Sequence, residues 1–126
     1  MFSHVVLGSN DVDASKVFYD AILGALGHQS GVIDPKGRAL YWTDSGVLII
    51  TKPINGELAT FGNGSTFGFS AKSTDEVDAW HAAGVANGGT SCEDAPGIRE
   101  GNGRKLYLAY LRDPSGNKIC SVFEIK

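Results

Sequence analysis

SHVVLGSNDVDASKVFYDAILGALG, Ser3–Gly27, reads as a short strand, a polar turn and an amphipathic helix ending at glycine. STFGFSAKSTDEVDAWHAAGVANGG, Ser65–Gly89, repeats that order of strand, Ser/Thr/Asp/Glu turn, helix and glycine stop. A unit that recurs about sixty residues on implies two equivalent modules packed as a pair. In the first strand His4, Val6 and Gly8 alternate with Val5 and Leu7; in the second Thr66, Gly68 and Ser70 alternate with Phe67, Phe69 and Ala71. The bulkier set of each strand is expected against its helix, which turns His4 and Thr66 toward the opposite, concave side.

Working outward, Asn10, Asp11 and Asp13 offer oxygens to the free N–H groups of a helix starting near Val12 or Asp13. Val17, Phe18, Ala21 and Ile22 form its apolar stripe, so Phe18 and Tyr19 are core residues before they are ligand contacts, and Gly24 and Gly27 are read as its stops. His28 to Lys36 is polar. Arg38–Thr43 and Val47–Thr51 then make a hairpin about Asp44-Ser45-Gly46, closed by Pro53 and the loop Asn55–Gly64. In the repeat, Ser73 and Glu76 spell a capping box, Val77, Trp80 and Gly84 mark the packed stripe, and Gly88-Gly89 stops the helix. Thr90–Gly103 reads as a long loop. Strands Lys105–Arg112 and Lys118–Ile125 follow, joined by the turn Asp113-Pro114-Ser115-Gly116-Asn117. His28 and His81 read as solvated residues.

The 126 residues suit one domain, with one module over about 1–60 and the other over about 61–126. A net charge of −3 lacks the basic surplus that phosphate backbones demand, so nucleic acid is not an expected partner. No apolar run approaches a membrane span, and the expectation is a soluble, cytoplasmic protein. Cys92 and Cys120 stand far apart with no ligand spacing around them, which suggests neither a disulfide nor a zinc knuckle. Phosphate-loop, dinucleotide, serine-elbow and zinc-protease signatures are all missing.

The His-Val-x-Leu strand before a polar turn and a Phe-Tyr helix, the repeat of that unit, and the Asp-Pro-x-Gly-Asn hairpin before the last strand together resemble the vicinal oxygen chelate superfamily. That superfamily includes glyoxalase I, bleomycin and fosfomycin resistance proteins and extradiol dioxygenases. The resemblance covers nearly the whole chain. It implies an α+β fold of two paired βαβββ modules forming a cupped mixed sheet, a small organic ligand in the cup, and a homodimer. The metalloenzymes of the family carry ligands on the first and last strand of each module. Here those positions fall on His4, Ile50, Thr66 and Cys120, only one of them a standard hard-metal ligand, so no metal or other cofactor is expected.

The sequence reading is therefore of a protein that binds a small aromatic or apolar molecule. Its walls are expected from Tyr41 or Trp42 with Leu48 and Ile50 on one side, and from Tyr110 and Leu108 on the other if Tyr110 stands opposite Cys120. A register shifted by one would put Tyr107 in place of Tyr110. Phe61 is expected over the mouth, and Arg38, Arg99 and Arg104 are candidates for gripping an anionic group. Two enzymatic alternatives stand beside it. One is a lyase or dioxygenase with a degenerate metal set; the other is a metal-free enzyme in which His4 activates the Cys120 thiol.

Overall fold

A computed structural model describes residues 1–126. The first module comprises β1 (His4–Gly8), α1 (Val12–Ala25), β2 (Val32–Ile33), β3 (Ala39–Thr43) and β4 (Gly46–Thr51). The second comprises β5 (Phe67–Ser70), α2 (Thr74–Ala86), β6 (Thr90–Gly101), β7 (Arg104–Arg112) and β8 (Lys118–Ile125). Both are βαβββ units, and their sheets have the same connectivity, β1-β4-β3-β2 and β5-β8-β7-β6. The first strand of each runs parallel to the last, and the other neighbours are antiparallel. The α+β class and the paired modules are as the repeat indicates.

Local chemistry sets the boundaries. Asp11 accepts from the Ala14 amide at 3.1 Å to cap α1, and Ser73 accepts from the Glu76 amide at 3.1 Å to cap α2. Glu76 reaches back to the Lys72 amide at 2.8 Å, completing the box one residue earlier than the standard pattern. Gly27, at φ +90°, ends α1 in the left-handed region, whereas Gly24, read as a stop, lies inside the helix.

The core lies between the helices and one face of each sheet. Phe18, Tyr19, Ile22 and Leu23 of α1 and Val77 and Trp80 of α2 are buried with Leu111 and Ile119 of the second sheet. Helix α1 meets α2 at Gly84, where an added Cβ would lie 2.3 Å from Leu111 Cδ1 and 3.2 Å from Ile22 Cγ2. The modules are also tied by polar contacts: Asn117 Nδ2 donates to the Gly8 carbonyl at 2.9 Å, and the Asn10 amide donates to Ser115 Oγ at 3.0 Å.

Two expectations are corrected. Val32–Ile33, in the polar stretch before the hairpin, pairs with β3, and Thr90–Gly101, read as a loop, is the longest strand. The β6–β7 register shifts between Cys92 and Gly97, and this bulge, together with Pro96 and Gly97, hides the alternation that would otherwise mark a strand. Arg99 stabilises the bulge by donating to the carbonyls of Asp94, Ala95, Gly97 and Leu108 at 2.9 to 3.1 Å.

Candidate functional site

In each module one sheet face is buried on a helix and the other is left open, so strand register decides which side chains can meet a ligand. Across the first sheet Val6, Ile49, Leu40 and Val32 are matched in one row, and His4, Val47 and Trp42 in the next. Trp42 is 68% exposed, Val32 60% and Val6 50%. This open face is apolar apart from His4 and, at the far end of β4, Thr51.

Tyr41, Leu48 and Ile50, expected on the cup wall, lie on the other face, because Leu48 and Ile50 are matched with Val5 and Leu7 and buried against α1. Tyr41 is buried with them, its hydroxyl donating to Asp20 Oδ1 at 2.8 Å. Burial first, and then that carboxylate, hold its phenol far above the ordinary range. Of the Tyr41/Trp42 pair, it is Trp42 that faces outward. The residue in step with Cys120 is accordingly Ile49: counting two residues on from His4 and from Thr66 gives Val6 and Gly68, whose partners are Ile49 and Cys120.

On the second sheet Tyr110 stands opposite Cys120 and Leu108 opposite Val122, with Arg112 opposite Lys118 at the turn end. Tyr107 is on the helix side, donating its hydroxyl to Asp78 Oδ1 at 2.7 Å. The Tyr110 ring has cations on it, Lys118 Nζ at 5.0 Å and Arg99 Cζ at 5.9 Å from its centroid. Its phenol is raised, chiefly by burial, while Lys118 and Arg99 pull the other way. Phe61 packs on Gly116, where a Cβ would sit 2.6 Å from the ring, and its face carries Arg112 at 5.1 Å.

The remaining arginines are committed elsewhere. Arg38 grips Asp34 at 2.6 Å, and Arg104 holds both oxygens of Glu124 at 2.9 and 3.0 Å. Arg112 and Lys118, not singled out from the sequence, become visible once Tyr110 is matched with Cys120, because alternation then puts both on the same face.

Neither enzymatic reading gains a constellation. Cys120 is buried under Gly68, where a Cβ would lie 3.2 Å from its sulfur, and burial pushes its thiol up to about 11, with Lys118 offsetting only part of the shift. His4 is exposed, and its Nδ1 is 2.7 Å from the Ser3 hydroxyl. Thr66 is exposed one residue before β5. One imidazole, an aliphatic chain, a neutral hydroxyl and one thiol lack the carboxylates and second imidazole that a hard divalent cation takes, and no three His, Cys, Asp or Glu side chains converge anywhere in the chain.

A cleft of about 780 Å³ separates the modules where β1 and β5, each hydrogen-bonded along one edge only, face it. His4, Tyr41, Trp42, Leu48, Phe67 and Phe69 are among its lining residues, so Tyr41 and Leu48, though on the helix side of their sheet, border this cleft. A smaller recess of about 200 Å³ lies where Val6 of the first sheet approaches Phe61, Phe67 and Lys118. No helix is long and apolar enough to cross a membrane.

Twin βαβββ modules with one open face each define the class, a paired-module α+β protein. Residues 1–121 match the family model described as Glyoxalase/Bleomycin resistance protein/Dioxygenase superfamily. A glyoxalase/bleomycin resistance protein from Albidiferax ferrireducens is 59% identical, with a TM-score of 0.93 over 97% of this chain and 98% of that one. A glyoxalase-related enzyme from Fulvimarina pelagi (21% identical, TM-score 0.73, 98% and 87% covered) shares the fold. So does lactoylglutathione lyase from Agrobacterium tumefaciens (20%, TM-score 0.66, 97% and 93%). No curated protein matches the chain. The chain belongs to the glyoxalase/bleomycin resistance protein/dioxygenase superfamily.

Proposed function

We propose that this protein binds a small, flat, largely apolar molecule, without a metal ion, in a cup lined by the open faces of the two kinds of module. The observation that carries this reading is the row Val6, Ile49, Leu40 and Val32 beside an exposed Trp42. A continuous apolar sheet face of this kind calls for an occupant. The reading includes a homodimer in which a second copy covers that face. The free edges of β1 and β5 support it, since unpaired edges that persist in soluble proteins are normally covered or paired.

The metal-dependent lyase or dioxygenase alternative is disfavoured by the donor set at His4, Ile49, Thr66 and Cys120, and the thiol alternative by the protonated, buried Cys120. Trp80 is fully buried and Trp42 exposed, so fluorescence reports on the site directly. Aromatic ligands are expected to quench or shift Trp42 emission saturably, with the response absent in Trp42→Phe. A panel of flat aromatic compounds that leaves the emission unchanged to millimolar concentration contradicts the proposal.

A further inference from the structure

Resting on that reading, we infer that the ligand is an anion as well as a flat apolar body: an aromatic or cyclic carboxylate whose charged end meets Arg112 and Lys118. The open face of the second sheet carries more positive charge than its own carboxylates balance. Arg104 is matched by Glu124 and Lys118 by Glu93, while Arg99 and Arg112 take part in none of the five ion pairs of the chain. That surplus stands on a protein whose net charge is −3, so it is not a by-product of a basic surface.

Arg99 is spent on four backbone carbonyls of the β6 bulge and its neighbour strand. Arg112 is different. It donates one hydrogen bond, Nη1 to the Gly116 carbonyl at 3.0 Å, and rests on Phe61, leaving Nε and Nη2 without a protein acceptor. Directly opposite it in the β7–β8 register is Lys118. Like charges facing each other across a strand pair oppose the pairing, and a bound anion between them would reverse the sign of that contact.

The two chemistries meet at Phe61, whose ring lines the smaller recess and carries Arg112, itself outside that lining, at 5.1 Å. The recess of about 200 Å³ has Lys118 on one side and Val6, Phe61 and Phe67 on the others. A ring lying on the apolar residues would hold a carboxylate at the cationic rim.

The experiment is calorimetric titration of the full chain with 1-naphthoate and with 1-naphthamide, which share a ring system and differ in charge. Naphthoate is expected to bind about tenfold more tightly or better, as charge-assisted hydrogen bonds do over neutral ones. Added salt should erode its advantage while leaving the amide unaffected. Arg112→Gln should abolish the preference, and Lys118→Gln, which gives up a partly exposed ion pair with Glu93, should reduce it in a protein that still unfolds cooperatively. Equal or tighter binding of the amide, with both variants silent, overturns the anionic assignment and leaves the apolar cup standing. Binding of neither compound overturns both.

Discussion

The Tyr19 hydroxyl donates to Asp113 Oδ2 at 2.6 Å, joining α1 of the first module to the β7–β8 turn of the second inside the protein. Asp113 is 4% exposed and also accepts from the Ser115 and Asn117 amides and from Asn117 Nδ2, each at 2.9 Å. The turn that aims Lys118 and Cys120 is therefore organised around one buried carboxylate. Tyr19→Phe removes a donor to a charged acceptor without opening a cavity, and should cost about 1.5–3 kcal/mol in chemical denaturation. A loss below about 0.5 kcal/mol would mean the turn does not depend on this bond.

The same bond sets an alkaline limit. Burial first, and then the Asp113 charge, raise the Tyr19 phenol well above its ordinary 10.0. Below pH 10 the phenol is protonated in both folded and unfolded chains and stability is unaffected. As pH rises past that point the unfolded chain releases the proton and the folded one keeps it, so stability falls by about 1.4 kcal/mol per pH unit for this group. Denaturation series between pH 9 and 11.5 should show a smaller slope in Tyr19→Phe than in the parent; equal slopes contradict the assignment.

Gly84→Ala tests the seam between α1 and α2. In an exposed helix the change would stabilise by about 1 kcal/mol. Here the new methyl would press on Leu111 Cδ1 at 2.3 Å with Ile22 and Phe18 behind it, and overpacking of a filled core costs about 1–3 kcal/mol. The expected net result is a lower melting temperature. A higher one would show that the core at this seam can yield.

Cysteine reactivity distinguishes binding from thiol chemistry. With its thiol pushed up to about 11 and its sulfur packed under Gly68, Cys120 should resist iodoacetamide at pH 8 until the chain is unfolded. Cys120→Ser should leave ligand affinity nearly unchanged. Rapid alkylation of native Cys120, located by mass spectrometry and prevented by ligand, would revive the His4–Cys120 alternative.

The repeat made the architecture legible, because caps such as Asp11 and Ser73 and stripes such as Val77 and Trp80 are local signals repeated at two places. The long strand β6 was not legible. Its Cys92–Gly97 bulge removes the alternation, and the arginine that stabilises it also reaches a carbonyl, that of Leu108, on another strand. Strand faces were only half legible in the hairpin. Tyr41-Trp42 and Ile49-Ile50 are adjacent pairs of apolar residues, so composition cannot say which of each pair turns inward, and the partners Val5 and Leu7 settle it only through register. Tyr110 was better defined because the Asp113–Asn117 turn fixes its distance to Cys120.

The central claim is that a flat molecule binds on the open sheet face through aromatic and apolar contact and needs no ion. Its most direct test is calorimetric titration of chelator-treated protein with the best aromatic ligand of the panel, repeated with added divalent ions and in Trp42→Ala. Affinity should be the same with and without ions, and should fall at least about tenfold in Trp42→Ala, since truncating a ligand-buried aromatic anchor typically costs ~2 kcal/mol or more. Binding that appears only when a divalent ion is added, and that is lost in His4→Ala while Trp42→Ala is silent, would contradict the account.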